Sequence, residues 1–348
     1  MLALFVFTRH QVWRIERLYP PRGEWVDIDG SRLHVVHHPG PDDPDLPPIL
    51  FIHGASGNLC DPMTAFLDTL DGRAELLFVD RPGHGWSDRG GGAHHHPDGQ
   101  ARAIAALLDR KKIDRAIVVG HSFGGAVALS MALEAPDKVA GLLLLSAASH
   151  PWPGGIDWHY TVTATPVVGH LFAALIAMPA GLQRMGGAAR RVFLPNAMPH
   201  GYLRRAATAL VLRPKAFRDN AIDVSNLFDH VVRTAPRYVV ITAPTVVITG
   251  NRDDVVSPDI HSVALARDIP EAQLLRIKGV GHKPDFGATE LCVAALEKLS
   301  GQPVDLAAMA AQLEQRLTAA DQATGDEKPA RGKADSADQI PVMPSDPM

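Results

Sequence analysis

The sequence predicts an α/β protein, a mostly parallel sheet with helices on both faces and a helical insertion. Two observations carry this. Six short apolar runs, at 48–53, 76–80, 115–120, 139–146, 245–249 and 272–277, alternate with helical segments. Strands that are apolar on both faces belong in a parallel sheet buried on both sides. The run at 115–120 ends in Gly120-His121-Ser122-Phe123-Gly124-Gly125, and a helix rich in small residues follows from Ala126 to about Glu134. Such a strand–turn–helix puts a serine on a tight bend, with Gly120 and Gly124 where side chains would collide with neighbouring backbone. The 348 residues, 46% of them hydrophobic, suffice for one large core and an insertion.

Residues 1–23 stand apart from this core. Met1–Phe7 is apolar but only about seven residues long, where a spanning helix needs about 20. No basic residue precedes it and no A-x-A site follows, so it does not read as a signal peptide. Arg9, Arg14, Arg17 and Arg22 come next. Two readings stay open: the end of a membrane anchor, with arginines keeping the domain on the cytoplasmic side, or an amphipathic helix covering the domain. Peripheral or anchored membrane association through this segment is one expectation for partners; a cytoplasmic location is expected on either reading.

The core is assigned to 24–149 and 238–300. Glu24–Asp29 and Arg32–His37 read as a hairpin through Asp29-Gly30-Ser31. Pro39-Gly40-Pro41-Asp42-Asp43-Pro44 is a turn-rich loop. His94-His95-His96 follows three glycines without acidic or cysteine ligands nearby and reads as a solvated loop, not a metal site. Residues 150–237 form the insertion, with helical stretches at Leu171–Met178, Tyr202–Leu212 and Ala221–Val232. Val167–Met178 is too short to span a membrane and reads as its core or a pocket wall, and Arg190-Arg191 and Arg204-Arg205 read as solvated faces. Residues 301–320 are expected to form a C-terminal helix with Leu306, Met309, Leu313 and Leu317 on one side. Residues 321–348 carry six acids against three bases and too little apolar content to fold alone, so they read as a disordered tail.

A serine hydroxyl is a weak nucleophile unless an imidazole takes its proton and a carboxylate orients that imidazole. Both partners lie downstream of Ser122. The strand pattern at 244–250 ends at Gly250 and is followed by Asp253 and Asp254; the strand at 272–277 is followed by Gly279-Val280-Gly281-His282. The loop after the 139–146 strand, Ser146-Ala147-Ala148-Ser149, holds no carboxylate. The chain order is therefore serine, acid, histidine, with Asp253 and Asp254 both available. A net charge of −4 gives no general reason to expect nucleic acid. Cys60 and Cys292 are too far apart in sequence for a disulfide framework or zinc motif and suit a reducing compartment.

Two further segments complete a resemblance. Ile49–Asn58 is an apolar strand ending in His53-Gly54-Ala55-Ser56-Gly57-Asn58, and Leu76–Ser87 is a strand ending in Asp80-Arg81-Pro82-Gly83-His84-Gly85-Trp86-Ser87. With the serine elbow, the G-x-x-D segment and the G-x-G-H segment, residues 24–300 resemble the α/β-hydrolase superfamily and its serine-nucleophile, esterase-like members with a helical cap. The resemblance implies an α/β-hydrolase fold with Ser122, Asp253 and His282 as triad. Asp253 is preferred to Asp254 because it occupies the family's G-x-x-D position. It further implies an oxyanion hole from the backbone N–H groups of Ala55 and Phe123, a bracing role for His53, and no catalytic role for the Asp80–Ser87 loop.

The reaction implied is hydrolysis of carboxylic esters or related small, apolar acyl compounds, with no cofactor or metal. Haloalkane dehalogenases and epoxide hydrolases of this superfamily carry aspartate at the elbow, and Ser122 departs from that. Carbon–carbon bond hydrolases of aromatic degradation share the triad, but their glycine- and proline-rich loop after His-Gly is not matched by Ala55–Asn58. Cofactor-free haloperoxidase or perhydrolase chemistry, and a non-catalytic binding role on the same scaffold, are the remaining alternatives.

Overall fold

The computed structural model describes residues 1–325. An eight-stranded sheet runs through it in the order β1-β2-β4-β3-β5-β6-β7-β8. The strands are β1 (Glu24–Ile28), β2 (Ser31–His38), β3 (Ile49–Ile52), β4 (Leu76–Val79), β5 (Ala116–His121), β6 (Val139–Leu145), β7 (Thr245–Gly250) and β8 (Gln273–Ile277). The β1–β2 and β2–β4 pairs are antiparallel and every later pair is parallel. The sequence pattern located each strand to within a residue or two at either end.

The continuous apolar strands are explained by what covers them. Leu50, Ile52 and Val118 join one core with α3 (Pro97–Lys111), α4 (Phe123–Glu134) and α10 (Ser262–Asp268). Ile49, Phe51 and Val119 join a second core with α2 (Cys60–Leu70) and α12 (Thr289–Leu299). Successive residues of a strand point to opposite faces, so both faces must be apolar. The elbow helix α4 begins at Phe123, three residues earlier than its small-residue run suggested.

Between β6 and β7 the chain leaves the sheet and folds as helices α5 (Trp158–Ala164), α6 (Pro166–Phe172), α7 (Met178–Phe193), α8 (Tyr202–Arg205) and α9 (Pro214–Thr234). Three details differ from the sequence reading. A π-turn at Ala173–Ala177 fuses α6 and α7 into one long helix, so Leu171–Met178 is no separate element. Within it Ala173, Ala177 and Met178 are buried while Leu171 and Ile176 face solvent, so this stretch is only half core. The expected helix at 202–212 is broken into α8 and a 3-10 turn, Thr208–Leu212, at Ala207, which has a positive φ of 48°.

The N-terminal segment is a helix, α1 (Leu2–Leu18), laid against the π-turn, α7 and the 208–212 turn. The amphipathic reading describes its second half, where Val12, Ile15 and Leu18 join the core. Its first turns remain uncovered, with Leu2, Phe5 and Val6 exposed. The triple histidine is not a free loop. Gly92–His95 forms a 3-10 turn in which His94 Nδ1 and the Arg89 carbonyl oxygen lie 2.8 Å apart and all three rings are half-buried. After α11 (Pro284–Gly287) and α12, helix α13 runs from Leu306 to Gly325, past the expected end at 320, with Leu306 fully buried. The rest of the segment read as a tail lies outside the described residues.

Candidate active site

The carboxyl ends of the parallel strands converge on one edge, where open α/β sheets bind ligands. Ser122 follows β5 there, held at φ 53° and ψ −119°. Few residues adopt this backbone, and it persists only where the surroundings impose it. Here they do. A Cβ at Gly120 would lie 2.6 Å from the Gly124 carbonyl oxygen, and one at Gly124 would lie 2.2 Å from the Ile52 carbonyl oxygen. The Ser122 N–H donates to Leu145 O, and its carbonyl accepts from Gly125 and Ala148.

The loop after β3 abuts this elbow. A Cβ at Gly54 would lie 3.2 Å from Ser122 Cβ, so Ala55 starts beside the serine. His53 is fully buried, and burial together with the neighbouring Arg81 charge lowers its pKa to about 3. It is therefore a neutral hydrogen-bonding post. Its Nδ1–H donates to Gly54 O at 2.9 Å and its Nε2 accepts from the Arg81 N–H at 3.0 Å.

After β7, Asp253 turns its carboxylate onto the His282 ring. Oδ2 lies 2.8 Å from His282 Nδ1, while Oδ1 accepts the N–H groups of Val255 and Val256 at 2.9 and 2.8 Å. Burial alone would raise this carboxyl; the hydrogen bonds from His282, Val256 and Val255 outweigh it and hold the pKa below the ordinary value. Asp254 points elsewhere and lines an open cleft of about 520 Å³ with Asn251, Arg252 and Lys278. With Nδ1–H committed to Asp253, His282 carries its lone pair on Nε2. His121 packs beside it with ring centroids 4.9 Å apart, its Nε2–H donating to His282 O. Among the described residues no hydrogen bond joins the Ser122 hydroxyl to His282; such contacts tighten on substrate binding.

Three structural supports were not legible in the sequence. Arg81, in the loop assigned no catalytic part, is wholly buried. Its guanidinium donates to His53 O and Gly54 O, stacks 4.4 Å from the Phe123 ring, and pairs with Asp223 of α9 at 2.9 Å. Burial pulls its pKa down to about 10 against that pairing. Asn220, also on α9, accepts the Ser56 N–H at 2.6 Å and so holds the residue after Ala55. Behind His282, the ammonium of Lys283 sits 2.8 Å from Asp61 and 2.9 Å from Asp285, and Tyr202 of α8 donates to Asp61. All three depend on residues more than 100 positions apart, and only the position of Lys283 beside His282 could have hinted at a role.

Sheet order, elbow and edge together define an α/β hydrolase. A family model described as "alpha/beta hydrolase fold" matches residues 47–166. The chain is 24% identical over 298 residues to haloalkane dehalogenase 2 of Mycobacterium tuberculosis, covering 80% of this chain and 95% of that protein. It is 27% identical over 245 residues to lipase 3 of a Moraxella species, covering 68% and 72%. Its fold matches a thermophilic esterase from Thermogutta terrifontis at a TM-score of 0.62 with 20% identity, over 80% of this chain and all of that one. The chain has the α/β-hydrolase fold and is similar to hydrolases that include lipases, esterases and a haloalkane dehalogenase.

Proposed function

We propose that the protein is a serine hydrolase that cleaves carboxylic esters or related small acyl compounds. The observation that carries this is the Asp253–His282 pair at 2.8 Å, on the sheet edge that also holds Ser122 in its strained bend. In this reading His282 Nε2 takes the Ser122 proton as Oγ attacks the carbonyl carbon, and Asp253 stabilises the imidazolium. The carbonyl oxygen gathers negative charge against the N–H groups of Ala55 and Phe123. Each such donor contributes roughly 3–4 kcal/mol to the transition state. The alcohol leaves with the proton from His282, and water then releases the acid from the acyl-enzyme.

Serine at the elbow supports acyl chemistry over the reaction named for the dehalogenase relative. The chemistry calls for no metal or organic cofactor. The test is hydrolysis of p-nitrophenyl esters from acetate to palmitate by the wild-type protein and Ser122→Ala, alongside halide release from haloalkanes. Ester turnover that vanishes in the variant is the expected result. Turnover retained by the variant, or halide release without ester cleavage, would overturn the reading.

A further inference from the structure

The helices over the sheet edge present an apolar surface that the fold does not cover. The α6–α7 helix, Pro166–Phe193, is long and apolar enough to cross a bilayer, yet only 22% of its apolar window is buried. It packs along one side on α1, α9 and the 208–212 turn. Its other side shows Val167, 72% exposed, with Val168, Leu171 and Ile176. The uncovered first turns of α1, whose Leu2 and Val6 are 78% and 57% exposed, belong to the helix that lies against the π-turn of this element. Trp13 and Trp158 are also exposed, Trp158 resting edge-on against Phe172. Amphipathic rings of this kind favour a membrane–water boundary.

The charge around this surface is predominantly positive, Glu16 on α1 and Asp219 at its border being the exceptions. Between residues 158 and 218 there are eight Arg or Lys and not one Asp or Glu, although the whole chain carries −4. A cleft of about 530 Å³ opens between the π-turn and α9, lined by Arg89, His170, Lys215 and Arg218 and by one carboxylate, Asp219, which lies 3.5 Å from Arg89. An apolar helical face bordered by cations fits a bilayer that displays anionic headgroups.

We propose that α1 and the α6–α7 helix form a docking face for membranes rich in anionic phospholipid. The apolar side chains enter the headgroup boundary while Lys215 and Arg218 take lipid phosphates. The long helix lies in the interface rather than spanning it, because one side is committed to the body and α7 carries Arg184, Arg190 and Arg191. The neighbouring helix α5 places Tyr160 near Ser56 and Asn220, beside the oxyanion loop. Docking therefore brings the lipid surface to the catalytic edge, and on the hydrolase reading above the substrates it favours are acyl esters that partition into lipid.

The experiment is co-sedimentation of the full chain, as Ser122→Ala so that no lipid is consumed. One set of vesicles is pure phosphatidylcholine, the other contains about one third phosphatidylglycerol. Binding to the anionic vesicles should be at least tenfold stronger and should weaken at high salt. Val168→Glu with Leu171→Glu should cut that binding at least tenfold while leaving hydrolysis of soluble p-nitrophenyl acetate by the Ser122 protein unchanged. Lys215→Glu with Arg218→Gln should abolish the preference for anionic vesicles. Equal binding to both vesicle types, or binding indifferent to the Val168 and Leu171 changes, would overturn the proposal. So would a dimer in sedimentation velocity that those changes split and that binds no vesicles, since the face would then cover a second copy. Absence of esterase activity would sink the hydrolase reading alone and leave the binding result standing.

Discussion

Ser122, Asp253 and Lys283 each make a distinct demand on the candidate site. Ser122→Ala removes one oxygen from a position whose backbone is imposed by its neighbours. Ester hydrolysis should fall by roughly 10³-fold or more while the melting temperature stays within a degree or two. Asp253 accepts the His282 Nδ1–H, so Asp253→Asn presents an amide that favours the wrong tautomer and should cost roughly 10³- to 10⁴-fold in kcat. Asp254→Asn, at the rim of a separate cleft, should change kcat less than twofold; the reverse ranking would reassign the acid. Lys283 neutralises two buried carboxylates, and Lys283→Met would leave Asp61 and Asp285 facing each other. The expected loss is about 3–5 kcal/mol of stability, read by urea unfolding. Ser122, Asp253 and His282 could be proposed from sequence because the chemistry of a serine nucleophile demands those residue types after particular strands. The Lys283 cluster was not, because a lysine and two aspartates scattered over 200 residues read as ordinary surface.

At the scale of elements, α9 is the member that joins insertion and sheet. Asp223 receives Arg81 and Arg89, the latter at 2.6 Å, and Asn220 holds Ser56. Asn220→Ala should free the loop that carries Ala55. We expect kcat to drop about tenfold with KM nearly constant, because the loss falls on the oxyanion rather than on ground-state binding. A raised KM with kcat unchanged would show that Asn220 binds substrate instead. Strands were readable from apolar runs because both faces of the sheet are covered. The helices of the insertion were read less well. Their boundaries depend on a π-turn and on a positive φ at Ala207, neither of which has a marker in the local pattern.

The molecule as a whole holds many histidines neutral in its interior. Burial lowers His53 to about 3, and His230 and His261 to about 4, from an ordinary value of 6.5. An unfolded chain takes up these protons near pH 6.5, whereas the folded one resists until pH 4 or below. Their contribution is thus complete above pH 6.5 and is lost as the pH falls toward 4, at about 1.4 kcal/mol per pH unit for each histidine. Thermal melts should show a steep drop in stability between pH 6.5 and 4, and His230→Gln should flatten it. A melting temperature level across that window would show that the interior accommodates imidazolium. Composition announced the histidines; it could not say that so many would be sealed, because their partners come from distant segments such as Ser130 opposite His230.

The run without carboxylates from 158 to 218 leaves the remaining residues with a charge of −12. The protein therefore divides its charge unevenly, positive on the insertion and on the arginines of residues 1–23 and negative in balance over the rest. A molecule of this kind turns in a field before it translates, and it approaches any charged boundary with one end leading. It should be retained by sulfonate resin at a pH where its net charge is negative, and approach of an anionic ester to the edge should be accelerated at low ionic strength.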